Sequence, residues 1–102
     1  MNSQDFEAVM KCTLARCTEV LAVKAGEYST DDRLHNFKVA AQLQGITPRQ
    51  ALAGMMAKHT VSVYDMCHSQ AEFTQALWDE KIGDSINYLL LLRALVVEEQ
   101  QG

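Results

Sequence analysis

Apolar and small residues at Phe6, Met10, Leu14, Cys17 and Leu21 return every three or four positions, the period of one face of an α-helix. The spacing predicts an amphipathic helix over residues 3–24, stopped in "KAGEYSTDD", where Gly26 supplies a C-terminal breaker. Ser29 or Thr30 then caps a second helix over 31–43. Asp31 and Asp32 fall in its first turn, where negative charge suits the exposed amides, and Gly45 ends it. In "GITPRQAL", Thr47 fits the cap, Pro48 the first helical position and Gln50 the capping-box partner, so a long third helix runs from there to about His68. Its stripe of Leu52, Met55, Met56, His59, Val63 and Met66 is apolar except for the histidine. Ser69, Gln70, Ala71 and Glu72 repeat the capping-box order, which predicts a short turn of helix before a last long helix over 78–99.

Composition narrows this to an all-α protein, a four-helix-type bundle forming one domain over residues 1–102. Hydrophobic residues make up 48% but aromatics only 7%, and strand-like alternation is nearly absent. Between Leu89 and Val97 only Arg93 is polar, so the last helix is apolar in nearly every direction. A four-helix monomer of this size cannot cover such a surface, which predicts a homo-oligomer, a dimer or tetramer. The start lacks the basic-then-apolar order of a signal peptide, and the longest apolar run, 88–92, is far too short to cross a bilayer, so a soluble cytoplasmic protein is expected.

Charge and cysteine content exclude further classes. Nine Lys and Arg against thirteen Asp and Glu give a net charge of -4 with no long run of either sign, so there is no extended nucleic-acid surface. A small phosphate-bearing ligand remains open, since it needs only a few cations and a metal. Cys12, Cys17 and Cys67 are an odd number and read as free thiols. Cys67 and His68 are neighbours pointing about 100° apart on a helix, which argues against a shared zinc.

The candidate chemistry lies in "DEKIGDSINYLLLLRALVV", where Glu80, Asp84 and Asn87 stand on one stripe with Leu91. On the preceding helix Lys58, Ser62 and Asp65 form another polar stripe, and antiparallel packing would let the two face each other. Carboxylates at such spacing suit Mg²⁺, which takes one or two protein carboxylates and completes its shell with water and phosphate. Lysine suits the phosphate as a point charge. The plainer reading is a solvated acidic face at a helix start. Asn87 argues against it, because an amide in an apolar segment needs partners. His59 reads first as a core histidine satisfied by a neighbour, Tyr28 and Glu27 as turn residues, and Arg33, with His35 and Asn36, as a phosphate grip or a balance for Asp31 and Asp32.

The strings "DRLHNF", "KH.VS..DM" and "EKIGD.INYL.LL" resemble a group of small proteins of bacteriophages and prophages of Gram-positive bacteria, over roughly residues 24–97. More remotely the layout is similar to the MazG-like all-α nucleotide pyrophosphohydrolase superfamily and to phage nucleotide-modification-associated domains. The resemblance implies an oligomeric helical bundle that uses Mg²⁺ to split a nucleoside triphosphate into monophosphate and pyrophosphate. It implies Glu80 and Asp84 as catalytic and metal-holding residues, with Asp65 joining them on the metal. Lys58 and Arg33 would steady phosphates, and Asn36 and Tyr28 would contact base or sugar, with Asn87 and Tyr88 matching the pair that follows the aspartate. Glu80 and Asp84 are four apart where that superfamily has three, and Lys58, Ser62 and Asp65 stand where it has paired glutamates. The rival expectation is a non-enzymatic helical oligomer, a phage accessory or protein-interaction module.

Overall fold

The capping box at Thr47 forms as its sequence predicts: Thr47 Oγ1 accepts from the Gln50 amide at 3.2 Å, and Gln50 Oε1 accepts from the Thr47 amide at 2.9 Å. In the computed structural model, which describes residues 1–27 and 31–102, that motif opens the third of four helices. They are α1 (Ser3–Ala25), α2 (His35–Gln44), α3 (Pro48–His68) and α4 (Gln75–Gln101), and no strand occurs among the described residues. The chain is therefore an all-helical bundle. No described helix is long and apolar enough to cross a membrane.

Two boundaries differ from the sequence expectation, each because a short polar side chain bonds locally. The α2 helix begins at His35, not in the first residues after Thr30. Asp32 turns the chain before it: its Oδ1 accepts from the Leu34 amide at 3.0 Å and its carbonyl from the His35 amide at 3.1 Å. Aspartate competes with helical hydrogen bonding in this way, so it sits in the turn and not in the first helical turn. The proposed caps Ser29 and Thr30 lie outside the described residues. At the other boundary, Ser69 accepts from the Ala71 amide in a tight turn and starts no helix. Thr74 is the true cap of α4, accepting from the Leu77 amide at 3.1 Å, and α4 starts three residues earlier than predicted. Gly45 ends α2 with φ 68°, the left-handed conformation, and the Ile46 amide reaches back to the Ala41 carbonyl.

The central element is α4. Arg49 pairs with Glu99 and His59 approaches Asp84, so α3 runs antiparallel to α4. Arg16 pairs with Asp79 and Cys17 touches the Gly83 carbonyl, while Leu21 and Lys24 lie near Asn87 and Leu91; the positions rise together, so α1 runs parallel to α4. The α2 helix packs on α3. Leu34, Phe37, Leu52 and Leu95 form the buried core, with Met55, Tyr88, Leu91 and Leu92 against it. On α1 only Cys17 is buried, and Phe6, Val9, Met10 and Leu14 stay exposed, as do Leu89 and Leu90 on α4.

Candidate functional site

Glu80, Asp84, Asn87 and Leu91 keep to one face of α4, and that face looks onto α1 and α2. The stripe predicted to meet it from α3 does not. The face of α3 turned to α4 is the Leu52–Met66 stripe, on which His59 comes within 3.7 Å of Asp84 and packs its ring against that of Tyr88. Lys58 and Asp65, rotated off that face, are exposed. The antiparallel packing was anticipated; the face that α3 presents was not. Tyr28 lies outside the described residues.

Asp84 borders two clefts. The larger, about 290 Å³, runs along the α1–α4 seam, with Thr13, Cys17, Val20 and Gly83 as its small or apolar wall and Glu19 and Glu80 on its rim. The smaller, about 110 Å³, gathers Lys24 from α1, Arg33 and Asn36 from the α2 end, and Asp84 and Asn87 from α4, over Phe37, Met55 and Leu91. Of the residues the sequence nominated, the structure thus brings Arg33, Asn36, Asp84 and Asn87 together, with Glu80 one turn away, and leaves Lys58 and Asp65 outside. Lys24 was missed. Its signal was present: it stands three residues after Leu21 and seven after Cys17, on the face of α1 that packs.

Asn87 marks the smaller cleft. It is 7% exposed, and its Oδ1 has no hydrogen-bond partner among the described residues. A buried carbonyl oxygen left unpaired is costly, so a water, a cation or another proton donor reaching it beside the cleft would stabilise it. The acids of α4 divide into two groups. Asp79 is closed by Arg16, Glu98 by Lys38 and Glu99 by Arg49. Among the described residues no lysine or arginine closes an ion pair with Glu80 or Asp84, and both look into open clefts.

Cys17, between the helices, is raised above its ordinary thiol range by burial first and by the Asp84 charge second, partly offset by a backbone hydrogen bond. Its thiol is therefore a neutral packing group at pH 7, not a nucleophile.

The donor set was weighed against Mg²⁺. Asp84 offers a carboxylate beside Asn87, whose side-chain oxygen is enclosed at the edge of the same cleft, and Glu80 offers a second carboxylate one turn away. Among the described residues no three His, Cys, Asp or Glu side chains gather closely enough to hold a metal alone. These residues fit a Mg²⁺ that keeps water and ligand phosphate in its shell, and do not fit a closed protein cage. Compared with protein-family models, with curated proteins and with solved structures, the chain finds no match.

Proposed function

We propose that the chain is a MazG-like, phage-type helical protein that binds a nucleoside triphosphate in the Asp84–Asn87 cleft and hydrolyses it to monophosphate and pyrophosphate with Mg²⁺. The observation that carries the reading is the partition of charge around that cleft: Lys24 and Arg33 for phosphate, Asp84 for a cation, and the unpaired Asn87 oxygen for a donor on the ligand. A carbonyl oxygen repels phosphate oxygens, so Asn87 meets the metal, the sugar or the base. Asn36 borders the same cleft and has both donor and acceptor atoms for that non-phosphate part. Asp84, with Glu80 beside it, would hold Mg²⁺, which when bound neutralises the charge that develops on the phosphoryl oxygens. The reading gives exposed Lys58 and Asp65 no contact inside the cleft. The host-cell cytoplasm, where nucleotides are found, is the location it implies.

The apolar residues left open on α1 and α4 favour a homo-oligomer, a second copy covering Phe6, Met10, Leu14, Leu89 and Leu90. They also favour the second reading, a non-enzymatic oligomeric accessory module, since the same faces would recognise a protein. Incubation with a panel of canonical and modified dNTPs and Mg²⁺, followed by pyrophosphate release, separates the two. Turnover abolished by Asp84→Ala and lowered by Glu80→Ala supports the enzyme; turnover that survives both removes the site assignment. A panel with neither turnover nor nucleotide-induced thermal stabilisation supports the accessory module. Sedimentation showing only monomer at micromolar concentration refutes the oligomer.

A further inference from the structure

His59 is the only polar member of the α3 stripe that packs on α4. Its side chain is 18% exposed, its Nδ1 lies 3.7 Å from Asp84 Oδ2, and its ring sits 4.8 Å from the Tyr88 ring, tilted by 31°. Tyr88 follows Asp84 by four residues, so one turn of α4 holds the imidazole at two points. Tyr88 also meets Phe37, a core residue, in an edge-type contact with centroids 6.3 Å apart. The imidazole is thus braced by the core through two aromatic rings. It borders neither of the clefts that Asp84 lines.

We propose that His59 is the positioning residue of Asp84: it holds Oδ2 from the α3 side and leaves Oδ1 to face the ligand. The inference rests on the nucleotide reading of the cleft. An aspartate that turns freely about two side-chain bonds spends part of its time aimed away from a ligand, and a fixed partner on one oxygen removes that freedom. At 3.7 Å the contact is within ion-pair reach but longer than a hydrogen bond. Contacts of this kind commonly tighten when a ligand closes the site. Outer partners that orient a liganding carboxylate typically change affinity or rate by about 10- to 100-fold when removed.

The rival role is packing alone, and two substitutions separate them. His59→Leu keeps apolar bulk but has no donor; His59→Asn keeps a donor close to the Nδ1 position. Positioning predicts that His59→Leu folds, keeps KM near the wild-type value and loses about 10-fold or more in kcat, while His59→Asn recovers most of that loss. Packing alone predicts wild-type kcat for His59→Leu, which would overturn the proposal. Two readouts need no turnover. The imidazole ¹⁵N signal of His59 Nδ1 should move in Asp84→Asn. In thermal unfolding the His59→Leu/Asp84→Asn double variant should lose less Tm than the sum of the singles. An unmoved signal with additive losses would overturn the proposal even in an active enzyme. If no nucleotide is hydrolysed yet the signal moves and the losses are not additive, the nucleotide reading fails and the His59–Asp84 coupling stands.

Discussion

Asn87→Leu should make the protein more stable and less able to bind. Leucine keeps the branched shape of asparagine, its bulkier methyl groups have the adjoining cleft of about 110 Å³ to enter, and it replaces an amide that is 7% exposed with an enclosed, unpaired oxygen. An unsatisfied buried acceptor costs about 1–3 kcal/mol, and exchanging a polar group for an apolar one of the same shape removes that cost. The new methyl groups would meet Phe37, Met55 and Leu91, which wall the same cleft. The expected gain is about 1–2 kcal/mol after some loss to imperfect fit. For a domain of this size, a change of 1 kcal/mol moves Tm by about 4–8 °C, so a rise of roughly 5–15 °C is expected. Scanning calorimetry with and without a nucleotide and Mg²⁺ tests both halves. The variant should unfold later alone, and should lose the extra stabilisation that ligand gives the wild type. A Tm several degrees below wild type would refute the reasoning, because it would mean that the oxygen is satisfied in the folded protein.

Leu95→Ala empties the centre of the core, where Leu95 is 1% exposed beside Leu34, Phe37 and Leu52, and should cost about 2–5 kcal/mol in chemical denaturation. Leu43→Ala, at a site 83% exposed, should change stability by no more than about 0.5 kcal/mol. A thiol-reactive disulfide reagent at pH 8 should modify Cys12 and Cys67 quickly and Cys17 only on unfolding, since the first two are exposed and the third is buried with its thiol pushed up; three fast equivalents would contradict the packing of α1 on α4. Asp32 is held below its ordinary range chiefly by the hydrogen bond from Lys38, at 2.7 Å, and next by the Leu34 amide. A lowered carboxyl contributes stability present above its unfolded pKa and lost as pH falls through its folded one. Asp32→Asn should therefore cost up to about 1 kcal/mol at pH 7, a difference that fades below about pH 4 in pH-dependent denaturation curves.

The sequence made the fold legible where local chemistry decides it. Thr47, Pro48 and Gln50 satisfy each other within four residues, so α3 could be placed before any tertiary contact was known. Asp32 and Ser69 misled for the same reason in reverse: their side chains serve a helix cap or a tight turn equally well, and only the path of the chain chooses. The site was half legible. Spacing placed Glu80, Asp84 and Asn87 on one stripe, because that depends on α4 alone. What faces the stripe depends on the rotation of α3 about its own axis and on where α1 docks, and neither is written in spacing. Two stripes on α3 were available, one apolar with His59 and one polar with Lys58 and Asp65, and burial selects the apolar one. The general rule that apolar faces pack was enough to make that choice, and its consequence is to put a histidine beside Asp84 instead of a lysine.

That exchange bears on how the cleft treats an anion. A lysine against Asp84 would have closed an ion pair across the bundle and left the carboxylate with little pull on a cation. With His59 there at 3.7 Å, and with Lys24 and Arg33 on the cleft's other walls, positive and negative groups border the same open space from α1, α4 and the turn before α2. A metal–phosphate ligand needs that arrangement, since its cation and its anionic oxygens must each meet an opposite charge. Helices α1 and α4 and the turn before α2 supply those charges, while among the described residues α1 packs on the bundle along its seam with α4. Nucleotide binding on this geometry should therefore tighten α1 as well as the cleft. Hydrogen exchange of α1 amides around Cys17 should slow when nucleotide and Mg²⁺ are added, and unchanged exchange in a protein that demonstrably binds would place the ligand elsewhere.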